Sequence, residues 1–151
     1  MPTFKSARTQ PITYHATGKI VSADITATTA GALGHANGYI LVPAPGAGKV
    51  LEFTSAVLIN EYDTAAYTAG GNTTINIGAG GAALSGLVSN ANFIQATADK
   101  IIQLLPLDAT FLTLTENTSL NLVSASAPTN PGTAAGEFHY KVSYRIHNTL
   151  L

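Results

Sequence analysis

The chain contains no cysteine and no tryptophan. Without cysteine, disulfides, thiolate metal sites and cysteine nucleophiles are all excluded. Charge is also scarce. Asp, Glu, Lys and Arg make up 10% of the 151 residues, against about 25% in an ordinary soluble domain, and no ionised side chain occurs from Thr64 to Ala98. The formal net charge of −1 gives no electrostatic pull toward nucleic acid or anionic lipid. The seven basic residues are scattered without interleaved aromatics, so a nucleic-acid partner is not expected. Long apolar runs are missing as well. Tyr39-Ile40-Leu41-Val42 stops at Pro43, whereas a spanning helix needs about 20 apolar residues, so no membrane partner is expected. The N-terminus has Lys5 and Arg8 with no apolar segment behind them, which does not read as a signal peptide.

Hydrophobic residues at 46% exclude a disordered chain, and the length fits one domain. The pattern is β. From Glu137 to His147 apolar and polar residues alternate without a break, which places Phe138, Tyr140, Val142, Tyr144 and Ile146 on one strand face and Glu137, His139, Lys141, Ser143, Arg145 and His147 on the other. Lys49–Asn60 reads as a second long strand, with Leu51, Phe53, Ser55, Val57 and Ile59 sharing a face. Shorter strands are expected at Lys19–Ile25, Gly38–Val42, Thr73–Ile77, Thr110–Thr115 and Ser119–Val123, separated by turn sequences such as Pro43-Ala44-Pro45-Gly46 and Gly78-Ala79-Gly80-Gly81. In Asn92–Leu105 the expectation is a short helical turn near Phe93–Ala96 leading into a strand. The predicted fold is all-β: an antiparallel, jelly-roll-like sandwich over residues 18–151, preceded by an extended N-terminal arm over residues 1–17.

No motif for chemistry survives inspection. Pro45-Gly46-Ala47-Gly48-Lys49-Val50 approaches a P-loop, but Pro43 and Val50 stand where the motif needs Gly and Ser or Thr. His139 and His147 share a strand face but lie roughly 26 Å apart at about 3.3 Å per residue, too far to hold one ion. His15 and His35 have no carboxylate at ligand spacing. Glu61 and Asp63 read as a solvated turn, because the further oxygen ligands of a calcium loop are absent. No nucleophile elbow or ordered Ser-His-Asp set occurs. The sequence predicts no catalytic residue, no cofactor and no metal, hence no enzyme.

Ile40-Leu41-Val42-Pro43-Ala44-Pro45-Gly46-Ala47-Gly48-Lys49-Val50, followed by Ser55-Ala56-Val57-Leu58-Ile59 and Ala65-Ala66-Tyr67, resembles small structural proteins of tailed bacteriophages. The ending is similar too, with a Gly-rich approach from Gly132 to Gly136 and then Val142-Ser143-Tyr144-Arg145-Ile146. The resemblance covers roughly Gly38 to Ile146 at the level of pattern. It implies a β-sandwich or jelly-roll subunit that decorates or cements a capsid, commonly as a trimer, and it brings no catalytic residues.

The resulting expectation is a non-enzymatic virion protein on the capsid surface. Its expected partners are other copies of itself, as a homotrimer, and the major capsid protein. Phe4, Lys5, Arg8, Ile12 and Tyr14 on the arm, together with Tyr67, are the expected interface residues, and the charge-free stretch Thr64–Ala98 is the expected contact region. The rival expectation is a tail- or fibre-associated carbohydrate-binding module using Tyr39, Tyr62 or Tyr67 as aromatic platforms.

Overall fold

The structure, a computed structural model, describes residues 11–107, 115–132 and 135–149. Among the described residues, seven strands form two antiparallel sheets. Sheet A has the order β1-β7-β3-β5, built from β1 (Thr13–Ile20), β7 (Glu137–Asn148), β3 (Lys49–Glu61) and β5 (Lys100–Leu104). Sheet B has the order β2-β6-β4, built from β2 (Tyr39–Val42), β6 (Leu120–Ser124) and β4 (Thr73–Ile77). Residues 82–88 run beside the free edge of β4. Their backbone bonds tie Thr73 to Val88 and Ile75 to Leu84, interrupted where Ser85 Oγ accepts the Ile75 amide at 2.9 Å. The chain crosses between the sheets at each step from β1 through β4, turns back beside β4, and returns to sheet A at β5. That alternation is a jelly-roll-like path, and the all-β sandwich is the fold the sequence predicts.

The strands form where alternation and turn chemistry place them, with three departures. Residues 13–17, assigned from sequence to the extended arm, are the first part of β1, which pairs with β7 from Thr13↔Arg145 to Ile20↔Phe138. Only Ile20 of β1 is buried, so this edge strand shows no sharp alternation in the sequence. The strand expected at Lys19–Ile25 ends at Ile20. Ser22–Thr26 is instead one helical turn (α1), in which the Ile25 amide bonds Val21 O at 3.0 Å and Thr26 Oγ1 bonds Ser22 O at 3.1 Å. Val21 and Ile25, four apart, fit a helical turn as well as an alternating strand. In β3 a bulge between Phe53 and Ser55 shifts the phase, because one extra residue flips the side chains that follow. The inward residues are Leu51 and Phe53, then Ala56, Leu58 and Asn60, and Ser55, Val57 and Ile59 turn outward. The predicted turn near Phe93–Ala96 is preceded by a short 3₁₀ segment at Asn90–Asn92 and leads to β5. Most of the strand predicted at Thr110–Thr115 lies outside the described residues.

The core sits between the sheets around Phe93, Phe138 and Tyr67. The Phe rings lie 4.4 Å apart, and Tyr67 meets Phe138 edge-on at 5.6 Å. Buried Asn60 closes this region by donating Nδ2 to Phe93 O at 2.8 Å, which satisfies a carbonyl that burial would otherwise strand.

Candidate functional site

The outer face of sheet A is built by register. Lys19 of β1 lies beside His139 of β7, His139 beside Ile59 of β3, and Ile59 beside Ile101 of β5. The next row is Thr17, Lys141, Val57 and Gln103. In these two rows the face grades from Lys19, His139 and Lys141 on β1 and β7 to Val57, Ile59 and Ile101 on β3 and β5, with Gln103 the polar member on β5. In the charged half, Lys19 Nζ pairs with Glu137 Oε2 at 2.8 Å and His139 Nε2 with Glu61 Oε2 at 2.8 Å. Glu52 receives both His147 Nε2 at 2.6 Å and Arg145 Nη1 at 3.5 Å. His15 Nδ1 and Ser143 Oγ are 2.9 Å apart.

Within this half, Glu61, Glu137 and His139 bring donor atoms within 4.8 Å of one another. Glu61 and Glu137 border an open hollow of about 320 Å³ that Tyr62, Asp63, Ala135 and Gly136 also line. Gly136 belongs there because a Cβ at that position would collide with the carbonyl of Glu61. Glu61 and Glu137 are direct cross-strand partners, a like-charge placement that is unfavourable unless neutralised. Lys19 neutralises one and His139 bonds the other. Two carboxylates and an imidazole are a donor set that a divalent cation accepts. A cation here would have to displace the Lys19 ion pair and the His139–Glu61 bond. The sequence signals for this group were weak, since its members come from the end of β3 and the start of β7, 76 residues apart from Glu61 to Glu137.

Sheet B carries no Asp, Glu, Lys, Arg or His in any of its strands. Neutral hydrogen bonds take their place. Thr74 Oγ1 donates to Asn76 Oδ1 at 2.6 Å and Asn76 Nδ2 to Gly81 O at 2.9 Å. Across the ladder from Asn76, buried Asn121 accepts from Ser119 Oγ at 2.6 Å and donates to Asn37 O at 2.8 Å.

The third surface borders β5, the edge strand of sheet A. Ile101 is 70% exposed, Leu105 68%, Leu87 64%, Leu107 40% and Ile59 38%. All but Ile59 line one open groove of about 670 Å³, and Ile59 adjoins Ile101 across the ladder.

Of the expected interface residues, Phe4, Lys5 and Arg8 lie outside the described residues. Ile12 and Tyr14 are exposed at the β1 edge, where Tyr14 stacks on Tyr144 at 5.7 Å. Tyr67 is not a surface residue. It is 2% exposed and donates its hydroxyl to Gly136 O at 2.6 Å, and burial pushes its phenol above the ordinary tyrosine range. The expected contact region Thr64–Ala98 also divides. Tyr67, Thr73, Ile75, Leu84, Ser85, Val88, Phe93, Ile94 and Ala96 are buried within the protomer, so much of its neutrality serves the core, and Leu87 is its exposed large apolar side chain. Nor does an aromatic platform form from the predicted tyrosines. Tyr39 packs against Tyr140 at 6.2 Å, Tyr62 bonds its hydroxyl to Thr64 O at 2.9 Å, and Tyr67 is interior.

No protein-family model, curated protein or solved structure matches the chain.

Proposed function

We propose that this protein is a non-enzymatic structural subunit of a virion, a capsid decoration or cement protein that stabilises the shell as a homo-oligomer bound to the major capsid protein. The observation that carries this reading is the sorting of its surfaces. Every Asp, Glu, Lys, Arg and His within a described strand belongs to sheet A, the opposite sheet carries none, and the border of β5 is exposed and aliphatic. Exposed apolar surface next to a sheet edge that no other strand pairs among the described residues favours contact with protein. A jelly-roll-like sandwich supplies a rigid body for such contacts, and a repeating shell would multiply weak ones into avidity. The clustered titratable groups at Glu61, Glu137 and His139 are engaged with one another and with Lys19, which supports a structural role for them.

The test is the particle. Virions purified on a density gradient from the phage that encodes this chain are expected to contain it in fixed ratio to the major capsid protein. Recovery of the protein solely in the soluble fraction of the lysate overturns the reading.

A further inference from the structure

We infer that the apolar half of the outer face of sheet A, together with the groove along β5, is covered by the same surface of a second copy of this chain. The inference rests on the homo-oligomeric part of the reading above and assigns it a surface and a symmetry. Five aliphatic side chains, Ile59, Leu87, Ile101, Leu105 and Leu107, leave exposed the equivalent of nearly three whole side chains. That is roughly 500 Å² of apolar surface per copy and roughly 1,000 Å² for two, the size at which specific interfaces begin.

The layout also fits a two-fold contact. An isologous interface needs a patch that complements itself, and an aliphatic patch does so without regard to direction. The rows that run from Lys19 and His139 to Ile59 and Ile101, and from Thr17 and Lys141 to Val57 and Gln103, place the charged half of each copy away from the centre. Packing the two apolar halves face to face gives a largely apolar middle, with Gln103 enclosed between Ile101 and Leu105 and Lys141 and His139 toward the rim, an apolar centre with a polar margin as in stable interfaces. A capsid protein or another segment of the same chain could meet apolar surface as well, but neither is required to repeat it. The second copy brings a matching patch by construction.

Sedimentation equilibrium of the purified full chain, from micromolar to hundreds of micromolar, is the direct test. The expected result is a reversible dimer. Ile101→Lys and Leu105→Lys should each weaken self-association by at least about tenfold, with unchanged far-UV circular dichroism. Thr17→Glu, on the charged half, should leave it unaltered. Hydrogen exchange adds a readout that needs no variant, because amide protection in β5 should rise with protein concentration. A wild-type monomer at every concentration, a trimer, or a dimer indifferent to both lysine variants overturns the inference. Protection of β5 that is independent of concentration assigns the patch to the chain itself and also overturns it. A dimer that never associates with virions leaves this inference standing and removes the virion reading, whereas a solution monomer that is found on virions does the reverse.

Discussion

Sheets A and B cover the same core and differ in how they face outward. On sheet A, ion pairs such as Lys19–Glu137 and Arg145–Glu52 join neighbouring strands between partly exposed side chains. Such pairs are screened by water and contribute about 0–1 kcal/mol each. On sheet B, the work is done by neutral amides and hydroxyls, and Asn121 is buried with both ends of its amide engaged. A buried hydrogen bond is worth more to keep than an exposed ion pair, because the partner left behind has no water to turn to. The shortage of charge in this chain is therefore local. Charge is retained where solvent screens it and absent where strands are short and their polar groups enclosed.

The largest expected effect tests what the two sheets share. Phe138→Ala removes the ring between Phe93 and Tyr67 and should destabilise the protein by about 3–5 kcal/mol. Urea unfolding should remain a single transition, and separate loss of the two sheets would break the picture of one common core. The next test moves charge across the boundary. Asn121→Asp places a carboxylate in a buried position and deletes the donor to Asn37 O, a cost of about 3 kcal/mol. Ser143→Asp, on the outer face of sheet A, should stay within about 0.5 kcal/mol in the same assay. Equal losses would show that the sheets tolerate charge alike.

A smaller effect concerns Tyr67. Its Tyr67→Phe variant should lose about 1–2 kcal/mol, because the Gly136 carbonyl loses its donor. Burial raises the folded-state pKa of Tyr67 above the ordinary value of about 10, so the folded protein holds the phenolic proton more tightly than the unfolded chain. Stability is then complete below about pH 10 and declines as pH rises through the folded value. Tyr67→Phe should flatten that decline. Burial, and beyond it Tyr39, shifts Tyr140 in the same direction, so part of the slope should persist. The smallest effect is Lys19→Met, expected at or below about 1 kcal/mol and fading as salt is added. A larger, salt-independent loss would mean that the charged face is more enclosed than its exposure indicates.

Much of the fold was legible. The Glu137–His147 alternation identified both faces of β7, and Thr73–Ile77 is a strand with the predicted ends. Turn residues marked the connections. The misreadings have local causes. An edge strand wetted on both sides, such as Thr13–Ile20, carries little periodic signal. The bulge at Phe53–Ser55 leaves no mark in a sequence where apolar residues occupy both faces of the strand, so the sequence pattern puts Val57 and Ile59 on one face with Leu51 and Phe53, which the bulge separates. Tyr67 gave no sign of its burial, because a tyrosine in a loop reads as exposed until something packs over it. The candidate surfaces were the least legible part. Leu87 and Leu105 sit in segments whose pattern says only that they are apolar, and nothing local places them beside Ile101.

The sequence by itself determined the class of fold, the polar side of β7, and the concentration of charge outside Thr64–Ala98. These depend on composition and on a two-residue period, which the chain expresses locally. Only the tertiary structure decided that the charge-free stretch supplies part of the core, that Glu61 meets Glu137 and His139, and that five aliphatic side chains gather along β5. Each of those follows from strand register and from which sheet a connection enters. Register depends on pairing between residues far apart in the chain, so no single segment encodes it.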